Sequence, residues 1–232
     1  MKIISPFANC LLLFTIITLA TPLKVYSDKI SKEKATSDKV YREQEKNMNQ
    51  EFNQKNPPKA GDTIAIIETN QGTMKAIIFV DIVPSSAKNF IELAKQGKYS
   101  DVPFHRVIEN FMIQGGDFTN KNGSGGHSAK GPNTTISDEY SPQLSHIRGA
   151  VAWAKTSLPN SIGSQFYIVH PGKGAHFLDH PANGGPAEGY SVFGQIYEGF
   201  EVLDKIATSE TGAQDKPLQP MTIKSISINE YK

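Results

Sequence analysis

A mostly β domain with two helices is what the 232-residue sequence predicts. Three patterns carry that reading. Residues 63–69 and 74–80 are runs of β-branched and apolar side chains around Asn70-Gln71-Gly72-Thr73, and the pair reads as a hairpin. Residues 191–196 and 221–228 are further strand-like runs, the second alternating so that one face is buried. Two stretches, one opening at Pro84 and one after Gly199, hold a helical period instead. Many short strands with two helices fit an antiparallel barrel, which closes without leaving an edge unpaired.

The elements follow two segments of different character. Residues 1–27 read as a targeting segment: Lys2 supplies a positive start, residues 11–20 are almost unbroken apolar, and Pro22 breaks a helix. Val25-Tyr26-Ser27 offers a cut before Asp28, and a cut after Ala20 is also conceivable. The rival reading is an uncleaved membrane anchor, because residues 3–23 are just long enough to span a bilayer. The strictly apolar core is shorter than a span, so export to a periplasmic or secreted location with cleavage is the expectation. Cys10 is the only cysteine and precedes the apolar core, whereas a lipoprotein cysteine follows one. Its removal leaves no thiol for disulfides, thiol catalysis or a thiolate metal site.

Residues 28–59 are dense in Lys, Glu, Gln and Asn, and their few apolar positions hold no helical period. Such a stretch lacks the apolar surface to offset ordering entropy, so a polar, disordered linker is expected, closed by Asn56-Pro57-Pro58. The domain is then residues 60–232. The chain's 24 Lys and Arg against 23 Asp and Glu give no global reason to expect nucleic acid or anionic membrane. A membrane partner is expected only if the N-terminal segment is retained. A monomer is the default.

After the hairpin, Pro84 opens an amphipathic helix with Ala87, Phe90, Ile91 and Ala94 on one stripe, Leu93 on its flank and Gly97 as a stop. Next comes Phe104-His105-Arg106-Val107-Ile108, continuing through Phe111-Met112-Ile113-Gln114-Gly115-Gly116-Asp117-Phe118. A charge at Arg106 breaks the alternation of a buried strand. It is either satisfied by a local carboxylate such as Asp117, or aimed into an apolar pocket where low dielectric strengthens each donor. The second block of interest is Gly163-Ser164-Gln165-Phe166-Tyr167-Ile168. Val202, Leu203 and Ile206 mark the second helix.

These two blocks, in this order and spacing, closely resemble the signatures of the cyclophilins, the peptidyl-prolyl cis-trans isomerases. The resemblance covers about residues 60–231 and implies a closed eight-stranded antiparallel β-barrel capped by two α-helices. It implies a cofactor-free enzyme that accelerates rotation about X-Pro bonds in proline-containing polypeptides, here in exported proteins during folding. Arg106 matches the catalytic position. Phe111, Met112, Tyr167 and Leu178 match the proline pocket, with Phe166 beneath them in the core. Gln114 and Gln165 match positions that hydrogen-bond substrate backbone or orient the arginine.

The chain departs from the common pattern at several places. Phe177 stands where many cyclophilins carry a tryptophan, keeping an apolar wall but lacking the indole N–H, so weakened cyclosporin binding is expected. Ala154-Lys155-Thr156-Ser157 replaces the substrate-binding asparagine segment; Ala154 is expected to line the groove, with no catalytic role for Lys155 or Thr156. Tyr190 lies where a histidine is common and retains a hydroxyl donor. Residues 180–188 look like a Gly/Pro-rich insertion. The altered groove leaves a second class open: a chaperone or binding module that holds proline segments without turnover.

Other signals point elsewhere. His176 and His180 have the spacing of a helical zinc pair, but Pro171, Gly172, Gly174 and Pro181 surround them, so no metal site is expected. His105 is expected to make structural hydrogen bonds behind Arg106. Gly123-Ser124-Gly125-Gly126 lacks the lysine and following helix of a phosphate cradle and reads as a surface loop.

Overall fold

The hairpin forms in the computed structural model as β1 (Thr63–Thr69) and β2 (Gly72–Ile78), antiparallel, joined by Asn70 and Gln71. The structure describes residues 52–181, 185 and 189–232, together with Lys34 and Thr36. The targeting segment and most of the polar stretch lie outside the described residues, as does most of the 180–188 insertion. One compact unit runs from Asn53 to Lys232. Its packed part reaches back into the stretch read as linker: Gln54 is buried, donates to the Ser145 carbonyl (2.9 Å) and accepts from the Ser145 N–H (2.9 Å).

The chain continues through helix α1 (Pro84–Lys95) and strands β3 (Val102–Pro103), β4 (Arg106–Ile108), β5 (Met112–Gly115), β6 (Ala150–Trp153) and β7 (Phe166–Val169). Strand β8 (Val192–Glu198), helix α2 (Phe200–Ala207) and strand β9 (Thr222–Glu230) complete it. All strand pairs are antiparallel, in the order β3-β9-β1-β2-β8-β6-β7-β5-β4.

This is a nine-stranded, curled half-barrel with two helices, and not the closed eight-stranded barrel expected from the sequence. The two ends of the sheet, β3 and β4, are consecutive in the chain, separated by Phe104 and His105 alone. No ladder joins them. Strand β3 is two residues long and ends at Pro103, which has no N–H to give. The Phe104 N–H instead bonds the Met221 carbonyl (2.7 Å) beside β9, while Arg106 onward pairs with β5. The chain itself, rather than hydrogen bonds, crosses the seam, and it delivers Arg106 to the first position of β4.

Pro84 supplies a pre-set φ at the start of α1, and Glu139 accepts from the Ser86 N–H (2.8 Å) at the same end. The buried face is Ala87, Phe90, Leu93 and Ala94, with Ile91 only half-buried, so Leu93 rather than Ile91 belongs to the central stripe. Phe90 enters an aromatic core, edge-on to Phe166 (5.5 Å between centroids) and against Phe193 (5.0 Å). Trp153 stacks on Phe193 at 4.5 Å. The last strand does not keep a strict alternation. Its ladder to β1 passes from Ser225 opposite Glu68 to Ile223 opposite Thr69, a bulge at Lys224. That bulge puts Ile223 and Ile226 on the buried side together.

Candidate active site

Strands β4 and β5 pair Arg106 with Gln114 and Ile108 with Met112. Strand β7 lies on the other side of β5 and sets Tyr167 opposite Gln114. Three neighbouring strands thereby bring a cation, an amide and an aromatic ring to one row. The two sequence blocks also meet at Gly116. Its φ is +89°, and a Cβ there would stand 2.5 Å from the Ser164 carbonyl oxygen, so only glycine fits. Ser164 Oγ donates back to the Gly116 carbonyl at 2.7 Å.

A cavity of about 180 Å³ opens at this row. Phe111, Met112, Tyr167 and Leu178 give its apolar lining, Arg106 and Gln114 one polar side, and Ala154, Lys155 and Tyr190 the other. It is smaller than the ~300–1,000 Å³ of drug-sized ligand pockets and suits one compact side chain. Two residues expected here stand outside its lining. Phe177 is 58% exposed and leans on Phe111 at the rim (5.5 Å between centroids), so it offers a ledge instead of a wall. Gln165 lies behind Gln114, accepting from Gln114 Nε2 (3.0 Å) and donating to the carbonyls of Gly123 (2.9 Å) and Gly125 (2.8 Å).

Arg106 is not satisfied by Asp117; it lines the apolar cavity while staying open to water. Its side chain is 41% exposed, and its Nε donates to Asp215 Oδ2 at 3.2 Å. Asp215 lies on a 3-10 turn, Ala213–Asp215, more than a hundred residues away in the chain. Nothing in the local sequence signals this partner, because an Asp in a polar surface turn is ordinary. On the other side of Arg106 lies a larger cavity of about 490 Å³, lined also by Gln114, Asn122, Ser124, Gln214 and Lys216.

Asp117 has a different task. Its carboxylate is fully buried and accepts from the N–H groups of Asn120 (2.9 Å), Gly123 (2.9 Å), Gly125 (3.0 Å), Thr119 (3.2 Å) and Asn122 (3.2 Å). Burial alone would raise its pKa, but the backbone donors outweigh burial and hold it at about 2. The glycine-rich loop is therefore a cradle for an anion, and the anion is the protein's own. His105 packs against Gly123, yet its Nδ1 has no partner among the described residues, contrary to the structural hydrogen bonds expected of it. Burial, aided by the Arg106 charge and opposed by Asp117, lowers the His105 pKa.

Two further networks support the cavity walls. Behind Tyr167, the hydroxyl meets His146 Nε2 at 2.8 Å, and His146 Nδ1 meets Asp179 Oδ1 at 2.6 Å. Asp179 also bonds Ser145 Oγ and His176 Nδ1. Burial pushes the Asp179 pKa up, but bonds from His146, Ser145 and His176 overcome it and hold the carboxyl well below the usual range. His176 is thus tied to Asp179 three residues on. On the opposite wall Lys155 Nζ bonds Asp138 Oδ2 at 2.9 Å, with both side chains largely buried, and lies 5.7 Å from the centre of the Tyr190 ring. Sequence reading left Lys155 without a role; its partner, Asp138, carries no signal of its own.

Comparison with known proteins bears on this geometry. Residues 64–228 match the model of the family "Cyclophilin type peptidyl-prolyl cis-trans isomerase/CLD". A Staphylococcus epidermidis protein with the provisional name of peptidyl-prolyl cis-trans isomerase is 38% identical over 183 residues, covering 71% of this chain and 91% of its own length. A Streptococcus pyogenes protein, provisionally named a bifunctional phosphatase/peptidyl-prolyl cis-trans isomerase, is 40% identical over 181 residues. That match covers 70% of this chain but only 38% of the Streptococcus protein. The crystal structure of a Cryptosporidium parvum cyclophilin-type isomerase superposes with a TM-score of 0.65 at 32% identity, covering 74% of this chain and 99% of that one. A second structure of it, determined in the presence of the dipeptide Ala-Pro, gives a TM-score of 0.64 at 34% identity, covering 72% and 99%.

Proposed function

The chain belongs to the cyclophilin-type peptidyl-prolyl cis-trans isomerases, and from that premise we propose that it speeds X-Pro rotation in exported polypeptides as they fold, with Arg106 at the reacting amide. The observation that carries the catalytic reading is Arg106 on the wall of a small apolar cavity lined by Phe111, Met112 and Leu178.

The chemistry needs little more. Rotation about a peptide bond meets a barrier of ~18–20 kcal/mol because the nitrogen lone pair is conjugated with the carbonyl. At X-Pro the isomers are close in energy but exchange in roughly tens to hundreds of seconds. A catalyst has only to bind the twisted amide better than either planar form. On twisting, the nitrogen lone pair is released and accepts a hydrogen bond that the planar amide cannot. The apolar cavity seats the prolyl ring and excludes water beside it. Arg106, always protonated and with a fixed fork of donors, supplies the hydrogen bond to the prolyl nitrogen or the neighbouring carbonyl. Bound substrate covers the exposed guanidinium, so its donors strengthen at the moment of use. Gln114, held by Gln165, presents an amide beside the arginine for the substrate backbone.

Support for export is the charged start, apolar run and small-residue cut of residues 1–27. N-terminal sequencing of the full-length protein, expressed in a bacterial host and fractionated, tests it. A start after Ala20 or Ser27 in the exported fraction agrees with the proposal. An intact Met1 in the membrane fraction would show a tether instead, and an intact cytoplasmic protein would defeat export.

A further inference from the structure

We propose that Asp215 is a positioning residue for the isomerase reaction, holding Arg106 through its Nε so that both terminal amino groups stay available to the substrate. This rests on the reading that Arg106 donates to the rotating amide.

The Arg106–Asp215 pair is 41% and 45% exposed, and ion pairs so open to water add little to folding. Yet the backbone that delivers Asp215 is in an uncommon conformation. Gln214 sits at φ 62°, ψ 28°, and Asp215 at φ 57°, two consecutive left-handed residues of which neither is glycine. Gln in that region is rare; Asp tolerates it better. Strain kept where it contributes little to stability points to a requirement of geometry.

The surroundings show how the geometry is held. The turn is braced at its base, with the Gly212 N–H on the Lys216 carbonyl (2.8 Å), a bridge between Thr211 and Pro217, and the Leu218 N–H on the Glu210 carbonyl (2.9 Å). A braced platform thus carries a carboxylate to the inner nitrogen of the guanidinium. Among the described residues, the terminal nitrogens of Arg106 have no hydrogen-bond partner. Only the Nε contact leaves both of them free; a bidentate pairing would consume one.

Arg106 also has somewhere else to go. With Gln114 it lines both the smaller cavity and the larger one of about 490 Å³, which Asn122 and Ser124 also line. An untethered arginine can swing toward those acceptors and away from the prolyl cavity. The carboxylate at Nε removes that alternative before substrate arrives, which lowers the ordering cost in the transition state. Its negative charge offsets part of the positive potential that Arg106 offers the substrate, so position rather than charge is what Asp215 contributes.

The test is steady-state kinetics of cis-to-trans isomerisation of a short X-Pro peptide by the full chain, with thermal denaturation of each variant alongside. Asp215→Ala is expected to lower kcat about tenfold while KM stays within about twofold. Asp215→Asn keeps an acceptor for Nε and tolerates left-handed backbone, so it should retain at least about half of kcat. Asp215→Gly relieves the strain and is expected to melt higher than the wild type yet lose turnover as Asp215→Ala does. Adding Asp215→Ala to Arg106→Ala should cost nothing further. Wild-type kcat in the alanine and glycine variants would overturn the proposal, as would an asparagine variant that falls as far as alanine. Arg106→Ala separates the two levels: if it too leaves turnover intact, the role of Arg106 fails, and if it alone abolishes turnover, only the role of Asp215 does.

Discussion

Replacing Asp117 by Asn removes a charge that five backbone N–H groups converge on, and the size of the effect follows from the structure. The carboxyl is out of water, and its pKa falls from the ordinary 3.8 to about 2. That gap corresponds to roughly 2.4 kcal/mol of folding stability at ~1.36 kcal/mol per pH unit. Because the folded-state pKa lies below the unfolded one, the contribution is complete above about pH 5 and is lost as the pH falls through about 2. At pH 3 about half of it remains. The amide keeps one acceptor oxygen but turns an NH₂ toward the donors of Asn122, Gly123 and Gly125, all of which now bond Oδ2. Asp117→Asn is therefore expected to cost about 2–4 kcal/mol at pH 7, and about 1 kcal/mol less at pH 3. Urea denaturation of both proteins at the two pH values measures this. The loop also holds Gln165 through two carbonyls, and Gln165 holds Gln114. A loosened loop should thus raise KM for peptide as well. A difference below about 0.5 kcal/mol at pH 7, or one that does not change with pH, would refute the reasoning.

Two other perturbations separate walls from chemistry. Tyr167→Phe keeps the aromatic wall but leaves His146 Nε2 buried without its partner, so stability should fall by ~1–3 kcal/mol in denaturant while peptide affinity changes little. A large affinity loss with unchanged stability would show that the hydroxyl serves the substrate. Phe177→Trp adds an N–H on an exposed ledge beside Phe111, and cyclosporin titration should show tighter inhibition than the wild type, which is expected to bind the drug weakly. Nanomolar inhibition of the unaltered protein would remove the basis for that expectation.

What could be read from the chain beforehand was whatever its own neighbours determine. The β1–β2 hairpin is local, carried by β-branched runs around a short turn, and it formed there, although Gly72 and Thr73 pair in the ladder instead of the turn and β2 stops at Ile78 rather than Val80. Helix α1 was legible from Pro84 to its stop for the same reason, although the choice between Ile91 and Leu93 for the buried stripe depended on the sheet beneath. The apolar runs of β9 contain their own clue to the bulge. Met221 and Ile223 are in one phase and Ile226 and Ile228 in the other, so a strict two-residue period could not have held.

Closure of the barrel was not legible, because it turns on which hydrogen bonds span Phe104 and His105, and no composition signals that. At the site, the residues that line the cavity were found through strands whose register is short-range: Arg106, Gln114 and Tyr167 share a row across β4, β5 and β7, and Met112 lies two residues before Gln114 on β5. The groups that tune them were not. Asp215, Asp138 and Asp179 are ordinary acids in polar loops, and only the fold brings each to its cation or imidazole. Asp117, one of two ways the sequence offered to satisfy Arg106, turns instead to the adjacent glycine loop, whose N–H groups converge on its carboxylate.

The most direct test of the account is the isomerisation rate of an X-Pro peptide with the wild type, Arg106→Ala and Arg106→Lys, read together with peptide affinity. Loss of about two orders of magnitude or more in kcat for the alanine variant, with affinity nearly retained, is predicted. Lysine should recover only part of it, since an ammonium lacks the fork that lets Nε rest on Asp215 while the terminal nitrogens work. Turnover that survives the loss of the guanidinium would contradict the mechanism proposed for this site.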